Sequence, residues 1–74
     1  MASERDWALK DRRMLTGRNV GSYVRLVAVS FGRDVSDVGV LIRIDNGIAK
    51  VQWIDRNGKA TELQRIPISH LQEA

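Results

Sequence analysis

Seven cations stand where they could meet phosphate, and four of them, Lys10, Arg12, Arg13 and Arg18, fall in the short stretch KDRRMLTGR. The other three, Arg33, Arg43 and Lys50, are spread along the rest of the chain. Lysine and arginine contact nucleic-acid phosphates whatever the base sequence, and such binding weakens as salt rises. The placement of charge points the same way. Net charge is +3; residues 1 to 25 carry six basic and three acidic side chains, and residues 26 to 74 carry six of each. All the excess lies in the N-terminal third, as in an arm whose task differs from that of a neutral body. Glu4, Asp6 and Asp11 sit among the arm's cations as local partners and dilute its field.

Other chemistries are thinly supplied. His70 is the single histidine and there is no cysteine. A nucleophile–base pair would have to be built around Ser69 or another serine, and neighbours along a chain rarely meet productively. His70 is read instead as a capping or packing residue at a turn. The Asp-Asn-Gly and Asp-Arg-Asn-Gly stretches echo a calcium loop, but the later ligands are missing, and both are read as turns. No metal and no cofactor is expected, and the chain reads as non-catalytic. The four aromatics, Trp7, Tyr23, Phe31 and Trp53, are too few to converge on a methyl-lysine cage. Phe31, next to Gly32, is the best placed for base stacking; it is also suited to closing the end of a barrel.

These side chains must be positioned by what 74 residues can build, which is one domain. A chain this small buries only about 60% of its unfolded surface and gains much from oligomerisation. Without cysteine there is neither a disulfide nor a thiolate metal site. The absence of disulfide staples, of a long apolar run and of an apolar leader core points to the cytoplasm.

The strongest local signal is Asn46-Gly47, which specifies a two-residue type I′ hairpin turn. It predicts Ile44 opposite Ala49, Ile42 opposite Val51 and Val40 opposite Trp53, all on a core face. The other face pairs Asp45 with Ile48, Arg43 with Lys50, and Leu41 with Gln52. A three-residue loop ending at Gly58 then predicts a bulged hairpin, with Trp53 opposite Thr61 and Val51 opposite Leu63. The expected core is Val40, Ile42, Val51, Trp53 and Leu63. The direct opposition of Arg43 and Lys50 is unfavourable; either an anionic partner or Glu62, diagonal to Lys50, would relieve it.

Upstream, SYVRLVAVSF reads as a strand, with Val24, Leu26 and Ala28 on one face. Downstream, PISHL reads as a 3₁₀ turn before a short strand at Leu71. At the start, Ser3 and Asp6 resemble a capping box, residues 4 to 14 are good helix formers, and Gly17 would stop the helix. Its apolar stripe is thin, so it either docks through Trp7 and Leu15 or stays a partly ordered arm. The outer sheet face would carry Leu41, Ile48, Ile54 and Ile66. Covering them falls to Trp7 and Leu15 or to a second subunit, so a homo-oligomer is as open as a monomer.

The order strand, loop, three-stranded meander, 3₁₀ turn and short strand, over residues 20 to 73, resembles the SH3-like small barrels. VRLVAVSFGRDVSDVGVLIRI is similar to a KOW-type segment, with Gly39 as the glycine before the strand. LQRIPISHL resembles the VQIYP stretch of type II dihydrofolate reductases, with Gln64 at its glutamine and Ile66 at its tyrosine. KOW, Tudor, chromo-barrel and type II dihydrofolate reductase domains share such a barrel and do unrelated things. The resulting expectation is an all-β, small five-stranded SH3-like barrel at residues 19–74, preceded by a basic helix or arm at residues 1–18. Its expected work is weak, sequence-independent nucleic-acid binding. The alternatives are a protein-interaction or oligomerisation module using the outer sheet face and, more distantly, a reductase of the type named.

Overall fold

The structure is a computed structural model that describes residues 14–74. Residues 4 to 13 of the expected helix, with Trp7, Lys10, Arg12 and Arg13, lie outside the described residues. The described part is all-β: strands β1 (Tyr23–Leu26), β2 (Val38–Asp45), β3 (Ile48–Ile54), β4 (Ala60–Pro67) and β5 (Leu71–Glu73), with 3₁₀ turns at Gly17–Asn19 and Ile68–His70. All neighbours are antiparallel, in one sheet of order β4-β3-β2-β1-β5. The two edges, β4 and β5, are separated in sequence only by Ile68–His70. A flat five-stranded sheet would hold its edges roughly 19 Å apart, at about 4.8 Å per strand. The link from Pro67 to Leu71 reaches at most about 14 Å even when fully extended. The sheet must therefore curl until its edges approach. No described helix is long and apolar enough to cross a membrane.

The first turn forms as its residues dictate. Asn46 and Gly47 both have positive φ, 52° and 77°. The pairs Asp45–Ile48, Ile44–Ala49 and Arg43–Lys50 follow, as the sequence predicts. Beyond them Ile42 is bulged out, and the register moves by one: Leu41 faces Val51, Val40 faces Gln52, and Gly39 faces Trp53. The second turn also forms, with Gly58 at φ 81° and Asp55 N donating to Lys59 O at 2.9 Å. An extra residue on β4 then shifts that pairing, so that Gln52 faces Leu63 and Val51 faces Gln64.

These two bulges overturn the predicted core. Leu15, Val24, Leu26, Leu41, Ala49, Val51, Trp53, Ile66 and Leu71 are buried. Ile42 and Leu63, expected inside, are 42% and 52% exposed. Val40 is only half-buried, while Leu41 and Ile66, expected on the outer face, are fully buried. The indole of Trp53 supplies the reason. With Val51 it needs a partner without a side chain, and Gly39 is that partner: a Cβ there would run into Val51 Cγ1 and sit 3.0 Å from Trp53 Cε3. It also needs an acceptor for its N–H, and Gln64 Oε1 provides one at 2.8 Å. Simple alternation would have put Val40 and Leu63 in those places, filling the space and leaving the indole N–H unanswered.

At the amino end, Leu15 is 5% exposed and belongs to the core, so the packed body reaches back past residue 19. Thr16 Oγ1 accepts from Arg18 N at 3.2 Å, and Asn19 Oδ1 accepts from Thr16 N at 2.8 Å. Gly17 therefore opens a 3₁₀ turn rather than ending a helix. β1 is shorter than predicted: Val24 and Leu26 point inward, but Ala28 is exposed in the loop that follows. That loop makes its own tight turn at Ser30–Arg33, with Arg33 N donating to Ser30 O at 2.8 Å and Phe31 at φ 53°.

Candidate nucleic-acid interface

The corrected registers bring together what the sequence keeps apart. Arg43 on β2 faces Lys50 on β3, and Lys50 faces Arg65 on β4. Three cations thus stand in one row across three adjacent strands, on the outer face and exposed. Directly opposed side chains on such a face have Cβ atoms about 5 Å apart. Asp45 Oδ2 lies 3.8 Å from Arg43 Nη2, but both side chains are about two-thirds exposed, and such a pair is weak in water. Among the described residues, no carboxylate lies within ion-pairing distance of Lys50 or Arg65. Arg65 is absent from the sequence-predicted contacts, because without the β4 bulge its register is misread.

Glu62, the residue expected to neutralise Lys50, is engaged elsewhere. Its carboxylate is ion-paired with Arg33 Nη2. Arg33 is itself a hub rather than a free cation. Its Nη1 is 3.5 Å from Asp37, its Nε donates to Gln64 at 3.4 Å, and its guanidinium lies 4.6 Å from the centre of the Trp53 ring. Stacked on an aromatic face and paired with two carboxylates, Arg33 tethers the long loop to the core and is a poor contact for phosphate. Gln64 is equally committed: besides accepting from Trp53 and Arg33, it donates to Phe31 O at 3.2 Å. The side chain that matched the reductase motif is thus spent inside the fold. Phe31 meets His70 edge-on, with ring centres 5.2 Å apart.

A second row runs beside the cations. Tyr23 faces Val40, Val40 faces Gln52, and Gln52 faces Leu63. Its ends are open, with Tyr23 58% and Leu63 52% exposed. Ile42 joins this face at the bulge. Arg25 continues it along β1, half-buried opposite Gln72, with no partner for its buried Nε.

The remaining predicted residues divide. Arg18 is exposed on the first 3₁₀ turn. From there the chain runs alongside β2, with Gly21 N donating to Leu41 O at 2.8 Å and Leu41 N to Ser22 O at 3.0 Å. The first 3₁₀ turn, which carries Arg18, is thereby held beside β2. Of the expected interface set, Leu15 and Leu41 are core, Ile48 is 38% exposed, and Ile54 is half-buried opposite Val38. Ser69 Oγ and His70 Nδ1 are 3.4 Å apart and both residues are exposed. Among the described residues, no three His, Asp or Glu side chains are grouped to hold a metal ion. Comparison with family models, with curated proteins and with solved structures finds no match to this chain.

Proposed function

We propose that this chain is a non-catalytic, nucleic-acid-binding module whose contact surface is the outer face of β2, β3 and β4. The carrying observation is the row Arg43–Lys50–Arg65, opposed in register. Like charges directly opposed destabilise a sheet, and a phosphate chain laid across the row reverses the sign of that interaction. Arg18 adds to the same field from the turn beside β2, and Lys10, Arg12 and Arg13, which precede it in sequence, are included in the proposed contact set. Arg33 has no part in it. The body is read as an SH3-like barrel; the sheet order and the single 3₁₀ turn joining its two edges support that resemblance. A cytoplasmic location accompanies the reading.

The experiment is a salt titration of binding to a labelled oligonucleotide by fluorescence anisotropy. Each phosphate contact contributes about 0.7 to the log–log slope on a single strand and about 0.9 on duplex. Lys50→Ala with Arg65→Ala should therefore flatten the slope by about 1.4 on a single strand and about 1.8 on duplex. Changing Arg12 and Arg13 together to Ala measures the arm in the same way. Absence of binding by the wild type at low salt overturns the reading.

Exposed Tyr23, Ile42 and Leu63 on the same face favour a second reading, a protein-interaction surface. Self-association through this face would oppose two copies of the cation row. The second reading therefore implies an acidic partner, and a second copy of the chain fits it poorly. It expects wild-type monomer by light scattering and no salt-dependent affinity for oligonucleotide.

A further inference from the structure

We infer that the preferred ligand of this face is single-stranded nucleic acid, its backbone on the cation row and its bases on the neighbouring row, with Tyr23 as the stacking platform. The inference rests on the nucleic-acid reading and narrows it. Three observations carry it. First, the two rows are parallel and lie one alternate-residue step apart, about 6.7 Å along the strand. Lys50 and Gln52 mark that step on β3. Tyr23 lies two strands from Lys50 across the sheet, which with the step places their Cα atoms roughly 12 Å apart. That is a span over which a sugar, a base and a tyrosyl ring fit side by side.

Second, the open ends of the second row, and the bulged Ile42 on the same face, offer aromatic or apolar surface. Tyr23 is 58% exposed, Leu63 52% and Ile42 42%. Against a duplex these side chains would meet sugars and phosphates, because the bases are stacked away in the helix. Against a single strand they meet splayed bases, each of which has a π-face whatever its identity. Third, the face is the outside of a curled sheet and is convex. A duplex is also convex, and two convex bodies touch along few contacts, whereas a flexible strand follows the curve. Gln52, in the middle of the base row, has its amide N–H groups engaged by Trp53 O at 3.0 Å and Glu62 O at 3.1 Å. Stacking without base-specific readout is the consequence.

The test uses the full 74-residue chain and two labelled probes at one low salt concentration, an oligothymidylate 12-mer and a 12-base-pair duplex. The single strand should bind more tightly. Tyr23→Ala should lower single-strand affinity by roughly 5- to 150-fold, the range for loss of one base–aromatic stack, and lower duplex affinity far less. Tyr23→Phe keeps the ring and should retain the wild-type preference. Circular dichroism confirms that each variant folds; Tyr23 is exposed, so the fold tolerates the change. Duplex binding equal to or tighter than single-strand binding overturns this inference and leaves the nucleic-acid reading standing. A single-strand preference that survives Tyr23→Ala unchanged also overturns it. If neither probe binds, the nucleic-acid reading and this inference fall together.

Discussion

A fully buried indole still carries one N–H, and for Trp53 that group is answered by Gln64 Oε1 at 2.8 Å. Meeting this requirement sets which neighbours point inward, because an unanswered buried donor costs about 1–3 kcal/mol. Leu41 and Ile42 make the point as adjacent residues of nearly equal hydrophobicity. Leu41 is fully buried against Val51, and Ile42 is bulged and 42% exposed. Leu41→Ala should cost about 2–5 kcal/mol, as for a closely packed aliphatic core residue. Ile42→Ala should cost less than about 1 kcal/mol, as for a surface site. Urea denaturation of the two variants checks this; a larger loss at Ile42 than at Leu41 would show the bulge to be elsewhere. Two of the three row cations were legible in the sequence. Arg43 and Lys50 lie within four residues of the Asn46-Gly47 turn, before any slip can accumulate. Arg65 was not legible, because its partner depends on a bulge that no local pattern in ATELQRI announces.

At the level of elements, turns were readable and bulges were not. Asn46-Gly47 and Gly58 carry their own conformational signature in positive φ. The β2 stretch VGVLIRI is apolar at every position but Gly39 and Arg43, so either face satisfies the alternation rule. The choice is made across the sheet, by the side chains of Val51 and Trp53 against the missing side chain of Gly39. Gly39→Ala should therefore destabilise by about 1–3 kcal/mol through overpacking, since the new Cβ would run into the Val51 side chain and come within 3.2 Å of Gln52 O. Adding Val51→Ala removes the closest obstacle. The double variant should lose less than the sum of the two single changes, with a coupling in the range of about 0.5–3 kcal/mol seen for contacting residues. Strict additivity in thermal denaturation would mean that Gly39 and Val51 do not touch. The start of the packed body lies earlier than expected for a related reason. The sequence assigns Leu15 to the arm, as a residue through which a helix could dock, yet it fills the core from an irregular segment.

Across the whole molecule, charges that cancel by count are separated in space. Residues 26 to 74 hold six basic and six acidic side chains, but Asp37 and Glu62 gather around Arg33, Asp55 accepts from the backbone of its own turn, and Glu73 takes the Asn19 amide at 3.3 Å. Asp45 stands beside Arg43, but among the described residues neither Lys50 nor Arg65 has a carboxylate within ion-pairing distance, so a running sum along the chain finds the basic character only in the arm and misses the row. The sheet order has a kinetic corollary. The β2–β3 and β3–β4 hairpins close over two tight turns, whereas β1 pairs with β5 across most of the chain, Val24 to Glu73, and Ala74 N donates to Tyr23 O at 2.9 Å. Long-range pairing incurs its loop-closure entropy before any contact rewards it. The meander should therefore form in the folding transition state, and the β1–β5 seam should close after it. Gly47→Ala, at φ 77° in the first turn, should slow folding, whereas Leu71→Ala should leave the folding rate nearly unchanged and accelerate unfolding. Chevron plots of the two variants read this directly, and a slowed folding arm for Leu71→Ala would place the seam in the nucleus instead. If the meander leads, thermal opening begins at the seam, and the first backbone edges laid bare are β1 and β5, neither of which carries a cation of the row.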